Sequence, residues 1–151
     1  MQSTIHSSGQ PAATHAGAER QPAAARTRPR LLVCDDEPQI CEFLSRVIGD
    51  LGQCDTACNG EDALAQINTH RYDLLLLDIK MPKLDGLRVL ELLRQTQRPL
   101  RVIVLTAYQE LDVAEAAHRT YSLMGYLTKP IQVGELHAVI EHALAQSPQL
   151  V

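Results

Sequence analysis

Between Arg30 and Ala145 the chain changes period again and again: a short apolar run, then a stretch with an apolar residue every three or four positions, repeated five times. Apolar runs without polar alternation are strands buried on both faces, and the stretches of helical period supply the cover. Such an order folds as a parallel sheet with helices on both sides. The strongest run is Leu74–Leu77, four leucines bounded by Asp73 and Asp78. Arg30–Cys34 and Arg101–Leu105 are of the same kind, Gln53–Ala57 is weaker, and Met124–Thr128 is short.

The helices follow from spacing. Pro38 sits where a first helical turn tolerates proline, and Ile40, Phe43, Leu44, Val47 and Ile48 share one face before Gly49 and Gly52. Glu61–Thr69 turns Ala63, Leu64 and Ile67 inward, and Gly86–Thr96 is rich in leucine. Leu111–Tyr121 offers a small face of Val113, Ala114 and Ala117, and Val133–Ala145 aligns Leu136, Val139, Ile140 and Ala143.

A chain of 151 residues has room for one such domain, residues 30–147, and with 3% aromatics and no Trp its core must be aliphatic. Residues 1–29 have no apolar periodicity, and Pro11, Pro22 and Pro29 interrupt any helix, so they read as a disordered tail. Residues 148–151 read as a short C-terminal tail. No apolar run exceeds about four residues, far short of the ~20 of a membrane span, and no signal-peptide core is present; a soluble cytoplasmic chain is expected.

Residues 1–30 hold Arg20, Arg26, Arg28 and Arg30 against Glu19; the total charge of −4 therefore leaves −7 on the rest. Such a domain has no electrostatic reason to bind nucleic acid or anionic lipid, and it suits a site for divalent cations. Cys54 and Cys58, placed on one strand, would lie about 13 Å apart, too far to share a zinc. The four cysteines (Cys34, Cys41, Cys54, Cys58) read as small buried hydrophobes.

In an open parallel sheet, ligands bind beyond the carboxyl ends of the strands. Asp35, Asp36 and Glu37 follow the first strand, Asp78 ends the third, Thr106 follows the fourth and Lys129-Pro130 the fifth. Each alone has an ordinary explanation, an aspartate as a helix cap or a lysine as a solvated cation; their joint placement on one edge does not. Clustered carboxylates repel and favour a bound cation, and oxygen ligands with room for phosphate select Mg²⁺. Asp78 is then the natural nucleophile for an acyl phosphate, with Thr106 and Lys129 placed to hold the phosphoryl oxygens.

The segments Leu-Leu-Val-Cys-Asp35-Asp36-Glu-Pro38, Asp78-Ile-Lys-Met81-Pro82-Lys-Leu-Asp85-Gly86, Val-Leu-Thr106-Ala107 and Gly125-Tyr126-Leu-Thr-Lys129-Pro130 match in order and spacing a family. Over residues 30–147 the chain resembles the receiver domains of bacterial two-component response regulators. The resemblance implies a flavodoxin-like (βα)5 fold with strand order 2-1-3-4-5, an order for which a receiver is itself a reference example. It assigns Asp78 as phosphoacceptor, Asp36 and Asp78 as Mg²⁺ ligands, Lys80 as a ligand through its carbonyl, and Asp35 as holder of a metal-bound water. It gives Thr106 and Lys129 the phosphoryl group, makes Tyr126 the switch aromatic that follows Thr106, and makes Lys129-Pro130 a cis peptide.

The implied function is a phosphorylation-dependent switch, not an enzyme acting on other molecules. A histidine kinase or phosphotransfer protein would supply the phosphoryl group, and remodelling of helix four, strand five and helix five would control a downstream protein. The chain would be a monomer or a phosphorylation-dependent homodimer, of the stand-alone chemotaxis or phosphorelay type, since little follows helix five. Lys80 and Tyr108 stand at the two positions that tune phosphoryl lifetime in the family, and a cation and a ring there imply slow self-dephosphorylation. Ser122-Leu123 replaces the family's usual Gly-Ala pair and adds bulk beside helix four.

Two other classes fit the loops less well. A haloacid-dehalogenase-type phosphohydrolase also uses Asp, Mg²⁺ and Lys, but places its nucleophile after strand one with a second Asp two residues on, where this chain has Glu37. An FMN binder needs a hydroxyl- and glycine-rich loop after strand one, where this chain has three acids. Its six histidines are scattered and there is no ATP-binding glycine loop, so a kinase is not expected.

Overall fold

The computed structural model describes residues 28–151, so all but the last two positions of the expected N-terminal tail lie outside the described residues. Five strands, β1 (Arg30–Cys34), β2 (Gln53–Ala57), β3 (Leu74–Asp78), β4 (Arg101–Ala107) and β5 (Gly125–Lys129), alternate with five helices. These are α1 (Pro38–Val47), α2 (Gly60–Thr69), α3 (Gly86–Thr96), α4 (Leu111–Thr120) and α5 (Val133–Ala145), and a 3-10 turn, Tyr108–Glu110, precedes α4. Every strand pairs in parallel, in the order β2-β1-β3-β4-β5. This is the flavodoxin-like arrangement expected from the sequence.

Two-residue alternation along the strands divides the core into two layers. Leu32, Cys34, Leu75, Leu77, Val102 and Val104 face α2, α3 and α4 through Ala63, Ile67, Val89, Leu90, Ala114 and Ala117. Leu31, Val33, Leu74, Leu76, Ile103 and Leu105 face α1 and α5 through Cys41, Leu44, Leu136 and Ile140. The four leucines of β3 are fully buried and feed both layers alternately, each stabilising by ~1.5–3 kcal/mol relative to exposure.

Local signals set the helix starts. Asn59 and Asp85 cap α2 and α3, their side chains accepting the N–H of Asp62 at 2.8 Å and of Arg88 at 2.9 Å. Pro38 opens α1, which has no side-chain cap.

Some placements differ from the expectation. Phe43 is 40% exposed, because the buried stripe of α1 runs through Cys41, Leu44 and Ile48 and Phe43 lies about 100° round from Leu44. Val113 is likewise exposed beside the buried pair Ala114 and Ala117. Cys34 and Cys41 are buried, but Cys54 is only partly buried, and Cys58 lies past the end of β2 and is exposed, so the reading of four buried cysteines fails there. All four are free thiols. Leu123 is buried in the same layer as Ala114 and Ala117.

Residues 148–151 lie against the domain. The Leu100 N–H donates to the Gln149 carbonyl at 3.0 Å, Leu150 forms an antiparallel bridge to Pro99, and Val151 is buried with the α2–α4 layer.

Candidate functional site

The parallel order brings the carboxyl ends of β1, β3, β4 and β5 to one edge, and with them the residues singled out by spacing. Asp35 follows β1 and is fully buried; its Oδ1 accepts the Glu37 N–H at 2.9 Å and its Oδ2 accepts Lys129 Nζ at 2.7 Å. Asp78 closes β3, almost fully buried, with Oδ1 at 3.5 Å from the same Nζ. Lys129, the last residue of β5, thus sits between two carboxylates that are 43 positions apart in sequence, and its peptide bond to Pro130 is cis. Asp36 is partly buried beside them, and one oxygen from each of Asp35, Asp36 and Asp78 lies within 4.8 Å of the others.

This proximity sets the electrostatics. Burial, and then the negative charge of Asp35, push the Asp78 carboxyl up to about 6, against the opposing pull of Lys129 and of the Lys80 N–H. Burial works to lower the pKa of Lys129, but its hydrogen bond to Asp35 and the charges of Asp78 and Asp35 prevail, and its ammonium titrates above the ordinary range. The hollow therefore holds three acids and one cation, an unbalanced charge that a divalent ion would correct. Oxygen-only donors at this spacing fit a hard ion such as Mg²⁺.

Backbone packing holds the loop after Asp78 in place. The Ile79 N–H donates to the Leu105 carbonyl at 3.1 Å, and the Gly86 N–H to the Ile79 carbonyl at 2.7 Å. A Cβ on Gly86 would come to 2.3 Å from the Asp78 carbonyl oxygen, so the closeness of α3 to the site requires glycine there. Below the loop, buried Met81 places its Sδ 3.6 Å from Cys34 Sγ.

The remaining predicted residues surround this centre. Thr106 is fully buried, one position beyond the Leu105 that pairs with Asp78, and its hydroxyl donates to the Ala107 carbonyl at 3.2 Å. Tyr126, on β5, lies against α4: its hydroxyl is 3.5 Å from Glu115 Oε1, and its ring meets His118 edge-on with centroids 6.0 Å apart. Tyr108 is 78% exposed. Lys80 also turns outward, but its Nζ pairs with Glu110 Oε1 at 2.7 Å.

Glu110 and the close approach of Gly86 are the features that sequence reasoning did not single out. An acid in the first turn of a helix is ordinary dipole compensation, so nothing in the sequence marked Glu110 as a partner of Lys80. Gly86 was legible as part of a motif, though not as a packing contact with Asp78.

Comparison with known proteins agrees with this geometry. The family model for the response regulator receiver domain matches residues 31–141. The DNA-binding transcriptional regulator NtrC of Salmonella typhimurium is 37% identical over 114 residues, covering 75% of this chain and 24% of that protein. The positive alginate biosynthesis regulatory protein of Pseudomonas aeruginosa is 39% identical over 117 residues, covering 75% of this chain and 46% of its own. This chain thus spans less than half the length of these curated relatives. Among solved structures, the receiver domain of NtrX from Brucella abortus superposes with a TM-score of 0.73 at 31% identity, covering 78% of this chain and 99% of that one. A response regulator receiver domain protein from Clostridium thermocellum gives 0.71 at 29%, covering 78% and 94%.

Proposed function

This chain belongs to the response regulator receiver domain family, and from that membership we propose that Asp78 is its phosphoacceptor, the residue through which two-component signalling reaches it. The observation that carries the assignment is the position of Asp78: last residue of the central strand, almost fully buried, with the Lys129 ammonium 3.5 Å from Oδ1 and two further carboxylates alongside.

In the proposed reaction an oxygen of Asp78 bonds to the phosphorus of a donor phosphoramidate or acyl phosphate as the bond to the donor's leaving atom breaks. Lys129 offers N–H donors to the transferred oxygens, and the Thr106 hydroxyl, which donates to the Ala107 carbonyl at 3.2 Å, would turn toward them. Asp36, Asp78 and the Lys80 carbonyl would hold Mg²⁺, with Asp35 reaching it through a metal-bound water; when bound, the ion supplies charge neutralisation for the incoming phosphoryl oxygens.

Asp35 is a poor alternative nucleophile. It is fully buried, and both its oxygens are occupied, by the Glu37 N–H and by Lys129. No observation favours the phosphohydrolase alternative.

Phosphorylation adds about −1.5 to −2 charges to a hollow that is already acidic. Thr106 and Lys129 would move to satisfy the new oxygens, carrying the ends of β4 and β5 with them. Tyr126, packed against His118 and Glu115 of α4, would follow Thr106 inward and so remodel the α4–β5–α5 surface. The partners that fit are a histidine kinase or phosphotransfer protein as donor and a protein effector at that surface. DNA binding is named for the longer NtrC relative; no direct nucleic-acid contact is proposed for this acidic domain.

Incubation with acetyl phosphate and Mg²⁺ should add the mass of one phosphoryl group to the wild-type protein and none to Asp78→Asn. A wild-type mass that does not change, or a variant that still gains the group, would overturn the assignment.

A further inference from the structure

We infer that Glu110 is a positioning residue for phosphoryl chemistry at Asp78: it holds the Lys80 ammonium off the phosphoryl group and thereby shortens the life of the phosphorylated state. The inference rests on Asp78 being the phosphoacceptor and goes further, to a residue outside the acidic hollow.

The ion pair crosses between two loops. Lys80 lies two residues past Asp78 in the β3–α3 loop, and its backbone N–H already serves the Asp78 carboxylate. Glu110 closes the 3-10 turn that joins β4 to α4. Their side chains meet at 2.7 Å, and they are unequally exposed: the ammonium side is 80% exposed, the carboxylate side 13%. The acid is therefore the fixed member and the lysine the movable one, with a long stem anchored beside the nucleophile.

A phosphoryl group on Asp78 would present about −1.5 to −2 charges and three acceptor oxygens, against the single negative charge of Glu110. Lys80 then has two competing acceptors. Where Glu110 keeps it, the phosphorus stays open to water. The water oxygen bonds to phosphorus as the bond to the Asp78 oxygen breaks, the carboxylate is regenerated, and the water's protons leave with inorganic phosphate or to solvent. Where Lys80 swings onto the phosphoryl oxygens, its stem crowds the path of that water and the acyl phosphate lasts longer. Leaving Glu110 also unties the β3–α3 loop from the turn that starts α4, so the same exchange would loosen the surface that phosphorylation is meant to remodel.

The test measures decay of the phosphorylated protein after removal of acetyl phosphate, in wild type, Glu110→Gln, Glu110→Asp, Lys80→Gln and the Glu110→Gln/Lys80→Gln double variant. Exposed pairs of this kind are weak, so the expected effect is modest: roughly two- to fivefold slower decay in Glu110→Gln. Glu110→Asp should restore a near wild-type rate, Lys80→Gln should decay faster than wild type, and the double variant should match Lys80→Gln alone. An equal effect of Glu110→Gln in both lysine backgrounds, or no effect in either, would overturn the inference while leaving Asp78 as the phosphoacceptor. A wild-type protein that gains no phosphoryl group would overturn both. Thermal melts of each variant separate a change in decay from a loss of fold.

Discussion

Replacing Asp78 with asparagine should make the metal-free protein more stable at neutral pH. The Asp78 carboxyl titrates near 6 in the folded protein, raised from 3.8 by burial and then by Asp35. A carboxyl whose folded pKa is raised holds its proton more tightly folded than unfolded, so its contribution to stability falls as pH rises from about 4 to about 6 and stays lost above. A shift of about two units corresponds to ~3 kcal/mol, which the effective polarity beside the partly exposed Asp36 reduces to ~2 kcal/mol. Asparagine mimics the protonated acid and leaves Lys129 its 2.7 Å bond to Asp35. Urea or thermal melts in a chelator should therefore find Asp78→Asn more stable than wild type by ~2 kcal/mol at pH 7.5, a rise of roughly 5–10 °C in Tm. The gain should fade to nothing near pH 4. Saturating Mg²⁺ should stabilise wild type more than the variant and narrow the gap, because a ligand that binds only the folded state adds its binding free energy to stability. A variant as stable as wild type at pH 7.5, or a gain that is the same at pH 4 and 7.5, would refute the reasoning.

Lys129→Ala leaves the fully buried Asp35 without its cation and should cost ~3 kcal/mol at pH 7 in chelator; a urea midpoint equal to that of wild type would contradict the pairing. Gly86→Ala forces a methyl to 2.3 Å from the Asp78 carbonyl oxygen, so it should destabilise by about 3 kcal/mol or more and slow acetyl phosphate labelling. Normal melting and labelling would show that α3 does not need its close approach. Deleting residues 148–151 strips Val151 from the core and the Gln149 carbonyl from the Leu100 N–H and should lower stability by ~2 kcal/mol, read from thermal melts. An unchanged Tm would mean the segment contributes nothing.

Much of this protein is decided by local pattern. Four consecutive leucines between two aspartates are too short a run for a core helix and read as a strand buried on both faces, and the helical period on either side of it supplies the cover. Once those elements are parallel, residues that follow strands must gather on one edge; that is why Asp35, Asp36, Asp78, Thr106 and Lys129 are legible as a group in the sequence. Tertiary structure decided how they are shared out. That Lys129 spans Asp35 and Asp78, that burial and the neighbouring Asp35 push the Asp78 carboxyl up to about 6, and that Lys80 turns to Glu110 all depend on how strands and loops distant in sequence come to lie beside one another. The same holds for Phe43, which the α1 pattern turned inward and packing turned out, and for Val151, which reaches the core by lying across the start of β4. Period fixes which face of an element is apolar; which partner meets a given side chain is set by non-local contacts, and a single sequence does not encode those one residue at a time.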